Sequence, residues 1–249
     1  MSQRIEKCEA IALKVTEYSN TSQIIQFFSK KFGHVGVIAK GTRNPKNNYY
    51  GLLQQLGRYE MVIYKKENTL SLLKEINQID DYAQISSNYE IAALAHAGAE
   101  LYLQLIFEED DYEKFYELLK QFYEFIPSVS KNHILVFWRF VLRVASFLGF
   151  SLKFDKCTVC STKDKETFHG ISFIHNGFIC ANCSRKRLAT EHFQINESTR
   201  DLLLTLRNLH ELESFEIAHQ DIQTVNTILK TYLSHHLHKK IHLRSLEVL

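Results

Sequence analysis

Four cysteines stand in two C-x-x-C pairs, Cys157-Thr-Val-Cys160 and Cys180-Ala-Asn-Cys183, with 19 residues between them. Each pair forms a tight turn that can aim two thiolates at one point. Two such turns joined by a short hairpin complete a tetrahedron around zinc. Four thiolates leave no position for water, so the metal is expected to be structural rather than catalytic. It would replace a core that about 30 residues cannot build alone. A redox pair would need a βαβ context, and an iron–sulfur centre usually has a different spacing. His169, His175 and His192 are nearby in sequence, but Cys157, Cys160, Cys180 and Cys183 already suffice for one ion. The fifth thiol, Cys8, is expected to be inert.

A second chemistry is attraction of anions. Formal net charge is only +2, but residues 1–80 hold 12 Lys/Arg against 7 Asp/Glu and the rest holds 18 against 21. The amino-terminal part is therefore the first place to look for an anionic partner. No acidic residue occurs between Glu17 and Glu60, whereas Lys30, Lys31, Lys40, Arg43, Lys46 and Arg58 do, with Tyr49 and Tyr50 among them. Cations hold a phosphate backbone and aromatic faces stack bases without reading them, which suits single-stranded nucleic acid. A solvated loop with its tyrosines in the core is the other reading. Arg185-Lys186-Arg187 follow Cys183 and fit two readings equally. They compensate the negative charge of a metal–thiolate centre, or they touch phosphates or a partner.

The elements that must position these groups change character near residue 80. Ile11, Leu13 and Val15 alternate with Ala12, Lys14 and Thr16, as in a half-buried strand. Ile24–Phe28 and Val35–Ala39 are further strands, Tyr59–Tyr64 and Thr69–Ile76 a hairpin, and residues 41–57 a polar loop. Five strands with a long third connection predict an OB-type barrel over 1–80. Residues 81–249 are expected to be helical, giving an α+β multidomain chain with a cysteine insert over 151–190. Ser87-x-x-Glu90, Asp110-x-x-Glu113, Ser130 and Asn196 are expected to start helices, and a last helix covers Asp221 to His236. His169-Gly170 and Asn176-Gly177 read as turns within the insert. His235, His236, His238 and His242 could hold a metal or place positive charge at a helix C-terminus.

Ala10–Tyr18, Ile24–Phe28 and the run Phe32-Gly33-His34-Val35-Gly36-Val37-Ile38-Ala39-Lys40-Gly41-Thr42-Arg43-Asn44-Pro45-Lys46 resemble the start of the bacterial RecO family. Gly51-Leu52-Leu53-Gln54 and a four-cysteine insert after a helical stretch extend the resemblance. It implies an OB-fold, a helical domain and a zinc module, with no catalytic residue. It also implies binding of single- and double-stranded DNA, strand annealing, and action with RecR, sometimes RecF, to load RecA onto DNA coated by SSB, the single-stranded DNA-binding protein. Lys40, Arg43 and Lys46 match the family's basic motif. Family loops often carry more Arg after the Pro-Lys pair, whereas here Asn47-Asn48-Tyr49-Tyr50 follow. The acidic SSB tail could meet Arg139 and Arg143, or Lys239, Lys240 and Arg244. A cytoplasmic, nucleoid-associated protein is implied.

The first nine residues lack the pattern of a secretory signal, and Ile134–Phe150 is broken by Arg139 and Arg143, so a soluble cytosolic chain is expected. An enzyme acting on nucleic acid is the least supported class. Glu108-Glu109-Asp110-Asp111 reads as a solvated loop and helix cap, and no P-loop or nucleophile elbow is present. A zinc-ribbon adaptor without DNA contact remains the alternative to a DNA-binding mediator.

Overall fold

The structure is a computed structural model that describes residues 4–67, 69–186, 192–206 and 216–249. Five strands, β1 (Arg4–Tyr18), β2 (Ser22–Ser29), β3 (Gly33–Ala39), β4 (Arg58–Lys65) and β5 (Ser71–Asp80), close a barrel in the order β1-β2-β3-β5-β4. This is the five-stranded OB type expected from five strands with a long third connection. The long β1 serves twice, pairing antiparallel with β4 through its first half and with β2 through its second. It can do so because a bulge between Ala12 and Lys14 bends it, and that bulge also breaks the expected alternation. Ile11, Ala12 and Leu13 are consecutive and all fully buried. Closure rests on a short parallel contact, Val37 with Ser71 and Ile38 with Leu72. Phe27 and Tyr59 meet edge to face at 6.0 Å inside the barrel, and Cys8 is buried in the same core.

Three helices follow: α1 (Ala83–Ser86), α2 (Tyr89–Gln104) and α3 (Tyr112–Phe125). The cap of α2 is Asn88 rather than Ser87. Asn88 Oδ1 accepts from the Ile91 N–H at 3.2 Å, whereas the Ser87 hydroxyl donates back to Gln84 O. Asp110 does not open α3, because residues Glu109–Asp111 form a 3₁₀ turn first. Helix α4 (His133–Phe147) begins after Asn132, not at Ser130, and is buried nearly all round as expected. It stops before Gly149, whose φ of +94° suits glycine. The insert holds β6 (Phe168–Ser172), β7 (Gly177–Cys180), α5 (Ala181–Arg185) and a third strand, β8 (Phe193–Gln194), that the sequence pattern did not suggest. His169 and Gly170 lie within β6, so they are no turn; Asn176, with φ of +54°, is. Helix α6 (Glu197–Thr205) is capped by Asn196 as expected, its Oδ1 accepting from Thr199 N at 2.7 Å. Helix α7 (His219–Leu237) buries Val225, Ile228, Leu229, Tyr232 and Leu233, while Ile222 is only half-buried.

The chain forms two compact units. The first contains residues 1–128 with Leu243–Leu249, and the second Val129–His242. The compact units thus divide after α3, while the change from strands to helices falls near residue 80 as read from the sequence. No helix among the described residues is long and apolar enough to cross a membrane.

Candidate metal centre and nucleic-acid interface

The second unit brings the four cysteines together. One ligating sulfur from each of Cys157, Cys160, Cys180 and Cys183 lies within 4.8 Å of the others. The first pair sits on a turn closed by Ser161 N–H to Cys157 O at 2.9 Å, with Ser161 at φ +62°. Thr158 ties that turn to β7 through its N–H to Phe178 O at 2.8 Å. The second pair spans the end of β7 and the first turn of α5. The rings of Phe154 and Phe168 pack, tilted, on Phe178 of β7 at 5.1 and 5.0 Å and form a small apolar cluster. Gly177 lies against the Lys153 carbonyl with no room for a Cβ.

The donor set fits a tetrahedral metal. A metal–sulfur bond of about 2.3 Å puts tetrahedral sulfurs about 3.8 Å apart. Cys160 Sγ and Cys180 Sγ are separated by 3.7 Å, far beyond a disulfide bond. Burial works to raise the Cys157 thiol, but backbone N–H groups of Cys160, Cys180 and Val159 outweigh it and bring it down to about 7. One of these bonds runs from Cys180 N to Cys157 Sγ at 3.3 Å. Cys183 is pushed the other way by burial and by its neighbouring sulfurs. The Cys157 thiolate is thus favoured, and collecting further negative charge at this spot calls for a cation. Among the described residues this is the one group of His, Cys, Asp or Glu side chains arranged to hold a metal. His192 instead shares a 2.9 Å hydrogen bond with Ser184.

In the first unit the loop between β3 and β4 is a chain of tight turns. N–H groups of Asn44, Asn47, Tyr50 and Leu52 donate to the carbonyls of Gly41, Asn44, Asn47 and Tyr49, each at 2.9 to 3.1 Å. Side chains of Asn44 and Asn47 accept from Lys46 N and Tyr49 N, which is the turn chemistry of Asn. The loop is anchored where Leu53 and Leu56 bury against the barrel. From this scaffold Lys40, Lys46 and Tyr50 project into solvent, and neither lysine has an ion-pair partner among the described residues. Arg43 is held by Glu17 at 3.0 Å and by Ser19 O at 3.3 Å. Tyr49 packs partly against the barrel core.

The span without acids in sequence is not without acids in space. Lys30 pairs with Glu113 and Glu117 of α3 at 3.0 and 3.1 Å, and Lys31 with the buried Glu6 at 2.7 Å. Arg58 is largely buried between Glu9 and Glu124. Of the six cations, Lys40 and Lys46 thus remain fully available. The carboxylates come from distant segments, so no local signal announced them. In the second unit Arg185 and Lys186 are exposed, with Arg185 bonded to Asn182 Oδ1 at 2.8 Å. Arg187 lies outside the described residues. Arg139 donates to Leu206 O at 2.9 Å, and the Arg143 guanidinium lies over the Phe147 ring.

Two family models match the chain: Recombination protein O N terminal over residues 1–82 and Recombination protein O C terminal over residues 68–247. Among curated proteins, the chain is similar to the DNA repair protein RecO of Chloroherpeton thalassium, at 33% identity over 157 residues, 62% of this chain and 60% of that protein. Similarity to the DNA repair protein RecO of Clostridium novyi is 25% over 247 residues, 98% of this chain and 93% of that protein. For the DNA repair protein RecO of Listeria monocytogenes it is 24% over 229 residues, covering 92% and 88%.

Proposed function

The chain belongs to the recombination protein O family, and from that premise we propose that it is a DNA-binding mediator of recombinational DNA repair. It binds single- and double-stranded DNA, anneals complementary strands and, with RecR and in some settings RecF, helps load RecA onto SSB-coated strands. It works in the cytoplasm and carries no catalytic centre. The observation that carries this reading is the exposed, unpaired pair Lys40 and Lys46 beside the exposed Tyr50, on a loop whose own turns hold it in shape. Cations without internal partners can release counterions from a phosphate backbone, and the free ring can stack on a base. Arg43 is a secondary contact, since binding DNA through its guanidinium means exchanging Glu17 for phosphate. Arg185 and Lys186 are accessible for a further contact to DNA or a partner.

Zinc is the metal we assign to Cys157, Cys160, Cys180 and Cys183, in a structural role. A four-sulfur tetrahedron suits its coordination preference, and no side chain at the site is left to activate water. Its chemistry here is cross-linking: it holds the turn at 157–160 to the end of β7. Residues 1–80 would then serve as the nucleic-acid domain and 81–249 as the helical domain with the zinc module at 151–190.

Binding of a fluorescent single-stranded oligonucleotide, followed by anisotropy across a salt series, tests this. The native chain should bind, weaken as salt rises, and have a steeper salt slope than the Lys40→Ala, Lys46→Ala double variant. Absence of binding by the native chain at low salt would refute direct DNA contact and favour the adaptor reading.

A further inference from the structure

The turn between β2 and β3 carries two lysines held in different ways. Lys31, itself 54% exposed, pairs with a single carboxylate, Glu6, which is only 8% exposed and also contacts Arg4. Lys30 is held at the surface. Its side chain is 37% exposed, and Glu113, one of its two carboxylate partners, is 70% exposed. Glu117, the other, divides itself between Lys30 and Lys120. The two carboxylates, Glu113 first, hold the Lys30 ammonium above its ordinary range. They stand one helical turn apart on the same face of α3, so both reach one ammonium group.

The contact is built in. The ring of Tyr112, the first residue of α3, lies against Gly33 so closely that a Cβ at Gly33 would overlap it. Gly33 has φ of +58°. This seats the start of α3 beside the β2–β3 turn. Ahead of it run Glu108, Glu109, Asp110 and Asp111, none of which is an ion-pair partner of Lys30. An exposed ion pair is weak and screened by salt, so a phosphodiester can compete for the lysine.

We propose that Glu113 and Glu117 are an internal stand-in for phosphate, covering Lys30 in the free protein and yielding it to nucleic acid as an additional backbone contact. This rests on the DNA-binding reading above and deepens it. The footprint then has a constitutive part, Lys40 and Lys46, and a gated part, Lys30. Gating suppresses weak, short-lived contacts at the β2–β3 end.

The test uses the full chain and a fluorescent oligothymidylate over a salt series. Glu113→Gln with Glu117→Gln should bind about three- to tenfold more tightly at low salt, with a salt slope steeper by about 0.7, the contribution of one cation on a single strand. Adding Lys30→Ala should abolish both gains. Glu108→Gln with Glu109→Gln removes the same charge from the segment just ahead of α3 without touching Lys30, and should leave the slope unchanged. Matched melting temperatures would confirm that each variant is folded. Equal gains with Lys30→Ala present or from the Glu108, Glu109 pair, or no change in slope, would overturn the proposal. If the native chain binds through Lys40 and Lys46 while these results fail, only the gating fails. If neither the native chain nor any variant binds, the DNA reading itself falls, and the gating with it.

Discussion

The hydroxyl of Tyr59, fully buried at the start of β4, accepts a 2.9 Å hydrogen bond from the backbone N–H of Gln54 and lies 2.9 Å from the carbonyl of Leu52. One side chain of the barrel wall thereby fixes the end of the loop that presents Lys40, Lys46 and Tyr50. Tyr59→Phe keeps the ring packing against Phe27 and leaves a backbone donor without its partner. Chemical denaturation should show a loss of about 1–3 kcal/mol. DNA affinity should fall too, because an unpinned loop must be ordered on binding.

Metal uptake should be read by its protons. Because its surroundings hold the Cys157 thiol below its ordinary range, zinc binding to the apo protein should release fewer protons than four ordinary thiols would, as followed by a pH indicator. Removing the metal with a chelator should speed hydrogen exchange at Phe178 and Ile179 in β7, whose neighbours are held by the two cysteine turns. Cys157→Ser should lose the metal on dialysis and reproduce that exchange pattern.

His236 makes the second unit sensitive to acid. Its ring stacks on Phe150 at 4.6 Å with planes 9° apart and meets Tyr232 at 4.6 Å. Burial, and the neighbouring His235 and His238, hold its pKa below the ordinary value, while a hydrogen bond with the Phe173 backbone works the other way. The unfolded chain takes up a proton near pH 6.5, and the folded one resists doing so. Stability should therefore be unaffected by this group above pH 6.5 and fall as pH drops below it toward the folded value. His236→Phe should lose less stability than the native chain between pH 7.5 and 5.5 in paired denaturation curves.

Within the same unit the indole N–H of Trp138 donates to Asn226 Oδ1 at 2.8 Å, joining α4 to α7. Trp138 is fully buried. Asn226→Leu strands that donor and should cost about 1–3 kcal/mol. Fluorescence of the single tryptophan reports the unfolding directly.

Patterns that depend on neighbouring residues were legible. Alternation and β-former content placed the five strands, Asn196 placed a helix start, and the two C-x-x-C turns placed four cysteines that the fold brings together. The helix start at Ser87 was misread because a usable cap, Asn88, follows at once; α4 starts after Asn132, which makes no side-chain cap bond, so no capping signal marked its start. The short β8 pairs with β6 across the insert and carries too few residues to show a period. The basic span was legible as charge, but not which of its cations are already paired. Lys30, Lys31 and Arg58 are paired by Glu113, Glu117, Glu6, Glu9 and Glu124, whose proximity only the fold creates, while Lys40 and Lys46 are not paired among the described residues.

The first unit is completed by Leu243–Leu249, where the Ser245 hydroxyl and N–H bond to Glu100 of α2 at 2.9 and 3.2 Å. The second unit is therefore an insertion within the first, and synthesis must pass through all of it before α2 receives its last partner. While the insertion is folded, its ends are held at one separation and the terminal segment stays close to Glu100. If loss of metal unfolds the insertion, that segment becomes the end of a long flexible tether, and its local concentration drops. Contact between Leu243–Leu249 and α2 would then depend on whether the insertion is folded.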